Sequence, residues 1–549
     1  MKLNNKIIRI LLLVSVLSLS ACDVDRMPET QLSDDSFWAS ENDLKAASNY
    51  LYTFLPKLPV TTDVWSDDAI GTTPNNISDG SRITPATYED YPINDYNDYN
   101  DPYKLIRAAN NIIEKAPRVV KAGVDQQIID WYIAEARFFR AWGYFSLVQR
   151  FGGVPLILKT LAEDAPELQE GKASREEVLN VIYEDLDFAA ENLRGPDDLE
   201  PDTDYGRITN TAALAFKSRV ALFEGTRAKY HSYGDPERHL TLAREAAKAV
   251  IESNKHDLFA SYFDLYQYES EGRQNKENIL VRKYGQSLGN SIVYHNAQRN
   301  LETGAANPTK FLADSYLMTD GLPISKSPMY EEPTNTEEVF KNRDPRMDAT
   351  FFKKGDPYIQ TIPVFNVPVL SFHKTGYANR RYANMEDWNN SRSYIDYAII
   401  RYAEILLNYA EAVYELDGAI SDSDLDISIN RIRSRASMPD LTNTFVSTNG
   451  LDMLQEIRRE RRVELALEGF RYWDIIRWKI AEDVLPQDIL GNVFFDEFGT
   501  EVIPEVNEDN IIVVQKKSTR TFDPSRDYLW PFPTDELALN PNLEQNPGW

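Results

Sequence analysis

Residues 126–155 read QQIIDWYIAEARFFRAWGYFSLVQRFGGVP, and this stretch decides the fold. Ile129, Ile133, Ala136, Phe139, Tyr144, Leu147 and Val148 recur at the three- and four-residue spacing of one helical face. Gly152-Gly153 and Pro155 then stop the helix. The glycine pair is no phosphate loop, because no strand precedes it and no GxGxxG pattern surrounds it. The same reading extends along the chain. Ser40-Glu41-Asn42-Asp43 leads into Leu44, Ala47, Leu51 and Phe54. Pro102 precedes Leu105, Ala108, Ala109, Ile112 and Ile113. Ser174 with Glu177 is a capping box for 175–193, Thr209 opens a helix that ends near Gly225, and 238–253 form another. Paired helices joined by short turns predict tetratricopeptide-type repeats. Ala134, Ala141, Ala212, Ala213, Ala215 and Ala221 are the small side chains such crossings need.

Residues 256–395 differ. Gly, Pro, Asn and Tyr dominate, with brief strand-like runs such as Ile279-Leu280-Val281 and Val367-Pro368-Val369-Leu370. Helices return at 397–416, 424–436 and 450–480, and 481–549 are irregular. The expected fold is mainly α, a tetratricopeptide-repeat-like superhelix with an irregular, loop-rich ligand-binding half of minor β. Residues 22–255 and 256–549 are expected to pack as one body.

With 549 residues and a formal net charge of -27, the chain can build a large core but repels phosphate backbones, which argues against nucleic acid. One cysteine forbids an internal disulfide, and five histidines without a cluster argue against zinc. The 30 tyrosines supply amphipathic rings suited to interfaces and sugar faces. Lys2, Lys6 and Arg9 precede the apolar run Ile10–Leu19, a secretory signal spanning 1–21. Leu19-Ser20-Ala21-Cys22 resembles a bacterial lipobox, in which Cys22 would be lipidated and anchor the mature chain to a membrane. An ordinary signal peptide with a chance cysteine is the plainer alternative.

Several further blocks carry a resemblance. They are Ile133–Trp142 running into Phe151-Gly152-Gly153-Val154-Pro155, then Gly206-Arg207-Ile208-Thr209, then Met318-Thr319-Asp320-Gly321 with Arg343-Asp344-Pro345-Arg346. Ile400–Ala412, Ile429–Ala436, Glu460–Asp474 and Leu529-Trp530-Pro531-Phe532-Pro533 with Asn546-Pro547-Gly548 follow. In this order they resemble the SusD/RagB family of surface lipoproteins. The resemblance implies a cell-surface protein, lipid-anchored in the outer membrane. It would be non-catalytic, binding a glycan, or in some relatives a peptide, for a SusC-like TonB-dependent transporter. No cofactor is implied.

The carboxylates Glu460, Glu464 and Glu468, one turn apart on a predicted helix over 457–479, invite a glycosidase reading. Such chemistry needs one carboxyl kept protonated across a cleft. Arg461 and Arg471 lie within reach on the same helix, and nearby guanidinium groups hold carboxylates ionised. A structural ion-pair network is therefore expected, with Arg401, Glu404 and Glu411 in the same role and Arg137 and Arg140 structural in the first quoted block. Asn94–Asp101 alternates oxygen-bearing side chains, so Asp95, Asp98 and Asp101 could hold calcium, although the loop lacks the glycine turn and the closing glutamate. Tyr96 and Tyr99 in that loop read either as a sugar platform or as packing. Trp65, Tyr294, Asn296, Trp388, Asn389 and Arg392 complete the candidate ligand contacts. Trp388 leads because no apolar periodicity surrounds it. Trp131, Trp142, Trp473, Trp478 and Trp530 are expected in the core. The acidic balance argues against uronic-acid polymers unless Arg380, Arg381 and Arg392 form a local basic patch.

Overall fold

The structure is a computed structural model describing residues 37–59, 62–81, 98–200, 203–288, 291–359, 362–390 and 392–549. Cys22 with its leader, Tyr96 and Asp95 lie outside the described residues. The chain is mainly helical, with five antiparallel two-stranded sheets among the described residues.

Ten helices matter here: α1 (Glu41–Leu51), α2 (Asn100–Lys115), α3 (Gln126–Phe151), α4 (Arg175–Asn192), α5 (Asn210–His231), α6 (Pro236–Glu252), α7 (Tyr402–Asp417), α8 (Ile429–Arg435), α9 (Met453–Glu464) and α10 (Arg471–Arg477). Each end has a local cause. Asp125 accepts from Gln127 N–H at the start of α3, and the Ser174/Glu177 capping box opens α4. Thr209 accepts from Ala212 N–H to open α5. Successive helices pack on one another from α2 through α7, and α7 then meets α9, which makes a continuous superhelical array. α3 and α5 bury side chains around their whole circumference, as inner helices do. Two glycines set the closest crossings. A Cβ at Gly143 would stand 2.9 Å from Ile106 of α2, and one at Gly225 would stand 2.7 Å from Leu240 of α6.

Buried ion pairs bolt the array. Arg140 on α3 grips Asp185 on α4 through two 2.7 Å bonds and donates to Asn110 on α2 at 2.9 Å. Arg137 reaches Asp185 at 3.8 Å and lies over the Phe188 ring. One hydrophobic core runs from Trp38 to Leu543.

In the C-terminal half Val367–Leu370 is not a strand, the local pairing being Pro357–Ile359 with Ile362–Val364, and the expected helices depart from the sequence reading in three places. Tyr397–Arg401 is a strand paired antiparallel with Asn278–Arg282, and helix begins only at Tyr402. The β-branched and aromatic run Tyr397–Ile400 prefers that pairing. The helix expected over 424–436 divides into Asp422–Asp426 and α8. The helix expected over 450–480 breaks between α9 and α10. There Leu467 and Gly469 take φ of +60° and +84°, a left-handed turn. The carbonyls freed by the break are not wasted. Arg401 donates to Glu464 O at 2.6 Å, Arg381 donates to Ala466 O, and Gly469 N–H donates to Asp63 Oδ2 at 2.7 Å.

Glu460, Glu464 and Glu468 are therefore bound by arginines, but not by the predicted ones. Arg346 and Arg433 hold Glu460 at 2.6 and 2.9 Å, Arg346 and Arg401 hold Glu464 at 3.0 and 2.5 Å, and Arg381 and Arg401 hold Glu468 at 2.9 and 2.8 Å. Arg461 pairs with Asp474 and Arg471 with Asp67, because the break turns α10 away from the face of α9. Arg401 likewise does not meet Glu404 or Glu411. Arg219 takes Glu404, and Arg477 with the Trp478 indole takes Glu411.

Candidate functional site

A cleft of about 570 Å³ opens where α1, α3 and α5 of the array face α10 and the strand Tyr397–Arg401. Its size is that of a small-ligand site. Aromatic rings recur along its wall. Trp142 stacks on Phe216 at 4.5 Å, while Phe223 meets Trp473 edge-on at 6.3 Å. Trp473 is stacked from behind by Trp530 at 6.0 Å. Tyr50 stands at the rim, 54% exposed, edge-on to Phe54. Guanidinium groups lie on the ring faces. Arg150 sits 5.0 Å from the Trp473 centroid, and Phe470 is flanked by Arg219 at 5.1 Å and Arg461 at 5.3 Å.

The polar groups of this wall are mostly committed to each other. Arg150 pairs with Asp98 at 3.0 Å, Arg219 holds Glu404 through two 2.6 Å bonds, and Arg461 and Arg477 share Asp474. Burial works to raise the Glu411 carboxyl behind the cleft, but the Arg477 guanidinium pulls it down to about 2. Asp63, under the Leu467–Gly469 turn, pairs with no cation among the described residues. Burial, then the neighbouring Asp68, pushes it up to about 7.

The sequence candidates fall into two groups. Trp65 and Tyr99 are only 4% exposed. Trp65 forms the floor of the cleft, wedged among Tyr472, Trp473 and Trp530. Its loop is pinned there by Asp67 and Asp68, which bind Arg462 and Arg471. Tyr99 packs on Phe151 and Phe532 and is a core ring, not a displayed one. Asp98 and Asp101 face Arg150 and Lys104. Among the described residues no group of three or more metal-ligating side chains gathers.

The second group converges on the loop-rich face. His295 and Ser393 exchange backbone hydrogen bonds of 3.0 Å, which brings Tyr294 and Asn296 beside Arg392. Tyr294 is 42% exposed, and the Arg392 guanidinium covers its ring at 4.7 Å. Asn296 is exposed and starts the short helix Ala297–Glu302, which packs against Met385–Asn390, the helix of Trp388 and Asn389. Asn389 is exposed. Trp388 is half-buried, edge-on to Tyr358 at 5.2 Å, beside a hollow of about 190 Å³. Its polar sequence neighbours hid an apolar partner from a distant strand. Arg380 and Arg381 do not join Arg392 in a basic patch. Arg380 faces Asp356 at 3.3 Å, and Arg381 is buried on Glu468.

Sequence reasoning missed Trp142, Phe223, Phe470 and the cleft face of Trp473. Trp142 and Trp473 are only half-buried, against the core role expected of them. A ring on a helical stripe gives the same periodicity whether it meets another helix or a cleft, so no one-dimensional signal separates them.

Comparisons with known proteins now bear on this geometry. Residues 266–549 match the model described as the SusD family, and residues 41–222 match one described as starch-binding, associating with outer membrane. The chain is 26% identical to the SusD-like protein P38 of Formosa agariphila, with 99% of each chain covered. It is 24% identical to a SusD-like protein of Bacteroides ovatus, covering 97% of this chain and 96% of that one. A crystal structure of a SusD-like carbohydrate-binding protein from Bacteroides fragilis superposes with a TM-score of 0.75 at 26% identity, covering 93% of this chain and 100% of that one. A laminarin-binding SusD-like protein superposes with a TM-score of 0.60 at 20% identity, covering 93% and 100%. The family model over residues 266–549 spans more than half of the chain, and the protein belongs to the SusD family.

Proposed function

We propose that this chain is a non-catalytic glycan-binding lipoprotein of the cell surface, fastened through Cys22, which holds an oligosaccharide for a SusC-like TonB-dependent transporter in the outer membrane. The observation that carries the reading is the ring-lined cleft with guanidinium groups on its faces. Sugar rings offer C–H faces to aromatic side chains and hydroxyls to charged ones. The carbohydrate-binding relative and the starch-binding model support glycan as the ligand class, and the latter's outer-membrane association supports the location. Among the described residues no helix is long and apolar enough to cross a membrane.

Cleavage finds no support in the cleft. Asp98, Asp474 and Glu468 are each bound by arginine. A glycosidase needs two carboxyls turned to the scissile bond, and these are turned to guanidinium groups instead. The test is calorimetry of the purified protein against a glycan panel, with reducing ends assayed in parallel. Heat without new reducing ends is expected. Heat with peptides alone would make it a peptide carrier, and new reducing ends would make it an enzyme. Co-purification with a large β-barrel tests the partner.

A further inference from the structure

Arg282 is a cleft residue that meets no carboxylate among the described residues. It ends the strand Asn278–Arg282, opposite Tyr397, and both side chains line the cleft. Arg150, Arg219, Arg461 and Arg477 in the same wall each face a carboxylate. Arg282 makes no ion pair among the described residues. It donates through Nη1 to Leu55 O and rests 5.8 Å from the Tyr284 ring centroid, and its buried Nε has no acceptor. An arginine is cationic at any ordinary pH. In a chain with 86 acidic and 59 basic residues, a cleft guanidinium that meets only a backbone carbonyl and a ring among the described residues keeps its charge for a ligand.

A second such group stands on the loop-rich face. Arg392 is exposed, lies over Tyr294, and makes no ion pair among the described residues. The two are joined by one short hairpin, Gly285–Leu288 with Ser291–Val293. Tyr284 before it meets His295 after it, edge-on at 4.8 Å, and His295 bridges to Ser393. Cleft and loop face are therefore the two flanks of one hairpin, each carrying a guanidinium over a tyrosine. A planar guanidinium fork matches a carboxylate or a sulfate ester through paired hydrogen bonds.

We propose that the site selects acidic saccharides, Arg282 in the cleft and Arg392 on the loop face each taking a carboxylate or sulfate of the bound sugar. The inference rests on the glycan-binding function above and names the ligand's charge. An acidic chain is repelled by the surface at large, so recognition must be local. Binding should then weaken as salt screens the two contacts.

The test titrates the full chain by calorimetry with three probes of matched length: trigalacturonate, a sulfated galactan trisaccharide, and neutral galactotriose. Tighter binding of at least one acidic probe than of the neutral one is expected. Whichever of the two it is identifies the anion. Arg282→Gln should lower that affinity about ten- to a hundredfold, the worth of one charge-assisted hydrogen bond, and cost galactotriose distinctly less. Because Arg282 also holds Leu55 O, the exposed Arg392→Gln is the control for folding, with a smaller loss in the same direction read on octasaccharide probes of the same three kinds, which are long enough to reach the loop face. Equal affinity for all three probes, or acidic binding untouched in both variants, overturns the acidic selection while leaving glycan binding in place. Failure of all three probes alongside a negative glycan panel, or binding only of acidic peptides, overturns the glycan reading and this inference with it.

Discussion

Arg401 and Glu468 are 67 residues apart in sequence and share two kinds of contact: Nη2 donates to Oε1 at 2.8 Å and Nε donates to Oε2 at 2.9 Å. Arg401 closes the strand that precedes α7, and Glu468 sits in the turn between α9 and α10. The remaining donors of the same guanidinium reach Glu277 at 2.8 Å, and the Glu464 side chain and carbonyl at 2.5 and 2.6 Å. One side chain thus fixes a strand end, a helix end and a left-handed turn against each other.

Removing it should be severe. Arg401→Ala leaves Glu277, Glu464 and Glu468 buried with less positive charge around them, and breaking a buried pair from one side typically costs about 3–5 kcal/mol. The urea midpoint should fall accordingly with little change in slope. A loss below about 1 kcal/mol would mean the network is redundant.

The sequence made the helical half legible because its signals are local. The α3 stripe, the Ser174 box and the small residues at crossings each act within a few residues of where they are read. Partners in the C-terminal half are not local. Glu464 and Arg461 satisfy helical spacing, yet Arg461 spends its charge on Asp474 and Glu464 is met by Arg346, 118 residues away. The turn that causes this is stabilised by Arg381, Arg401 and Asp63, which are distant in sequence. The loop-face candidates are legible only as composition, although Arg392 does lie over Tyr294. Trp65 and Tyr99 are buried against Trp530 and Phe532 of the C-terminal tail, which their polar sequence neighbours do not reveal; for Tyr99 packing is the alternative the structure takes, and Trp65 still floors the cleft.

Asp63 gives a pH signature. Its folded carboxyl is pushed up to about 7 by burial, against an ordinary value near 4, so the folded state holds the extra proton between those limits. Stability should therefore fall as pH rises from about 4 to 7, by at most about 1.4 kcal/mol per pH unit from this group, and level off above. Asp63→Asn keeps an acceptor for Gly469 N–H and should remove that slope. Denaturation at pH 5 and pH 8 checks it. The variant should gain on the parent at pH 8, and an unchanged difference between the two pH values would contradict the assignment.

The C-terminal tail serves as a cap. Asn546 donates to the carbonyls of Phe151 at 2.9 Å and Trp530 at 2.7 Å, while Trp530 N–H donates to Arg150 O at 2.8 Å and Phe532 stacks on Phe151. Helix α3 ends with free carbonyls that no later turn can satisfy. Asn546→Ala strands two buried acceptors, at about 1–3 kcal/mol. Amide exchange should quicken at Arg150–Gly153 and Leu529–Trp530 before it does elsewhere. Uniform protection would show that the tail is ornamental to α3.

Two exposed rings separate the roles of cleft and loop face. Tyr50 at the cleft rim and Tyr294 beside Arg392 are both largely in solvent, so truncating either leaves the core intact. A short saccharide seated in the cleft should feel Tyr50→Ala alone. One long enough to pass the hairpin should feel both changes. Each lost stacking contact is worth roughly 1–3 kcal/mol by the measure of other ring platforms. Calorimetry with a series from disaccharide to octasaccharide would read this as a Tyr294→Ala penalty that is absent for the shortest ligands and grows to a plateau with length. A penalty independent of length would place the whole ligand on the loop face. No penalty from either ring would move the binding surface away from both, because an aromatic platform that binds through stacking cannot lose its outermost rings without cost.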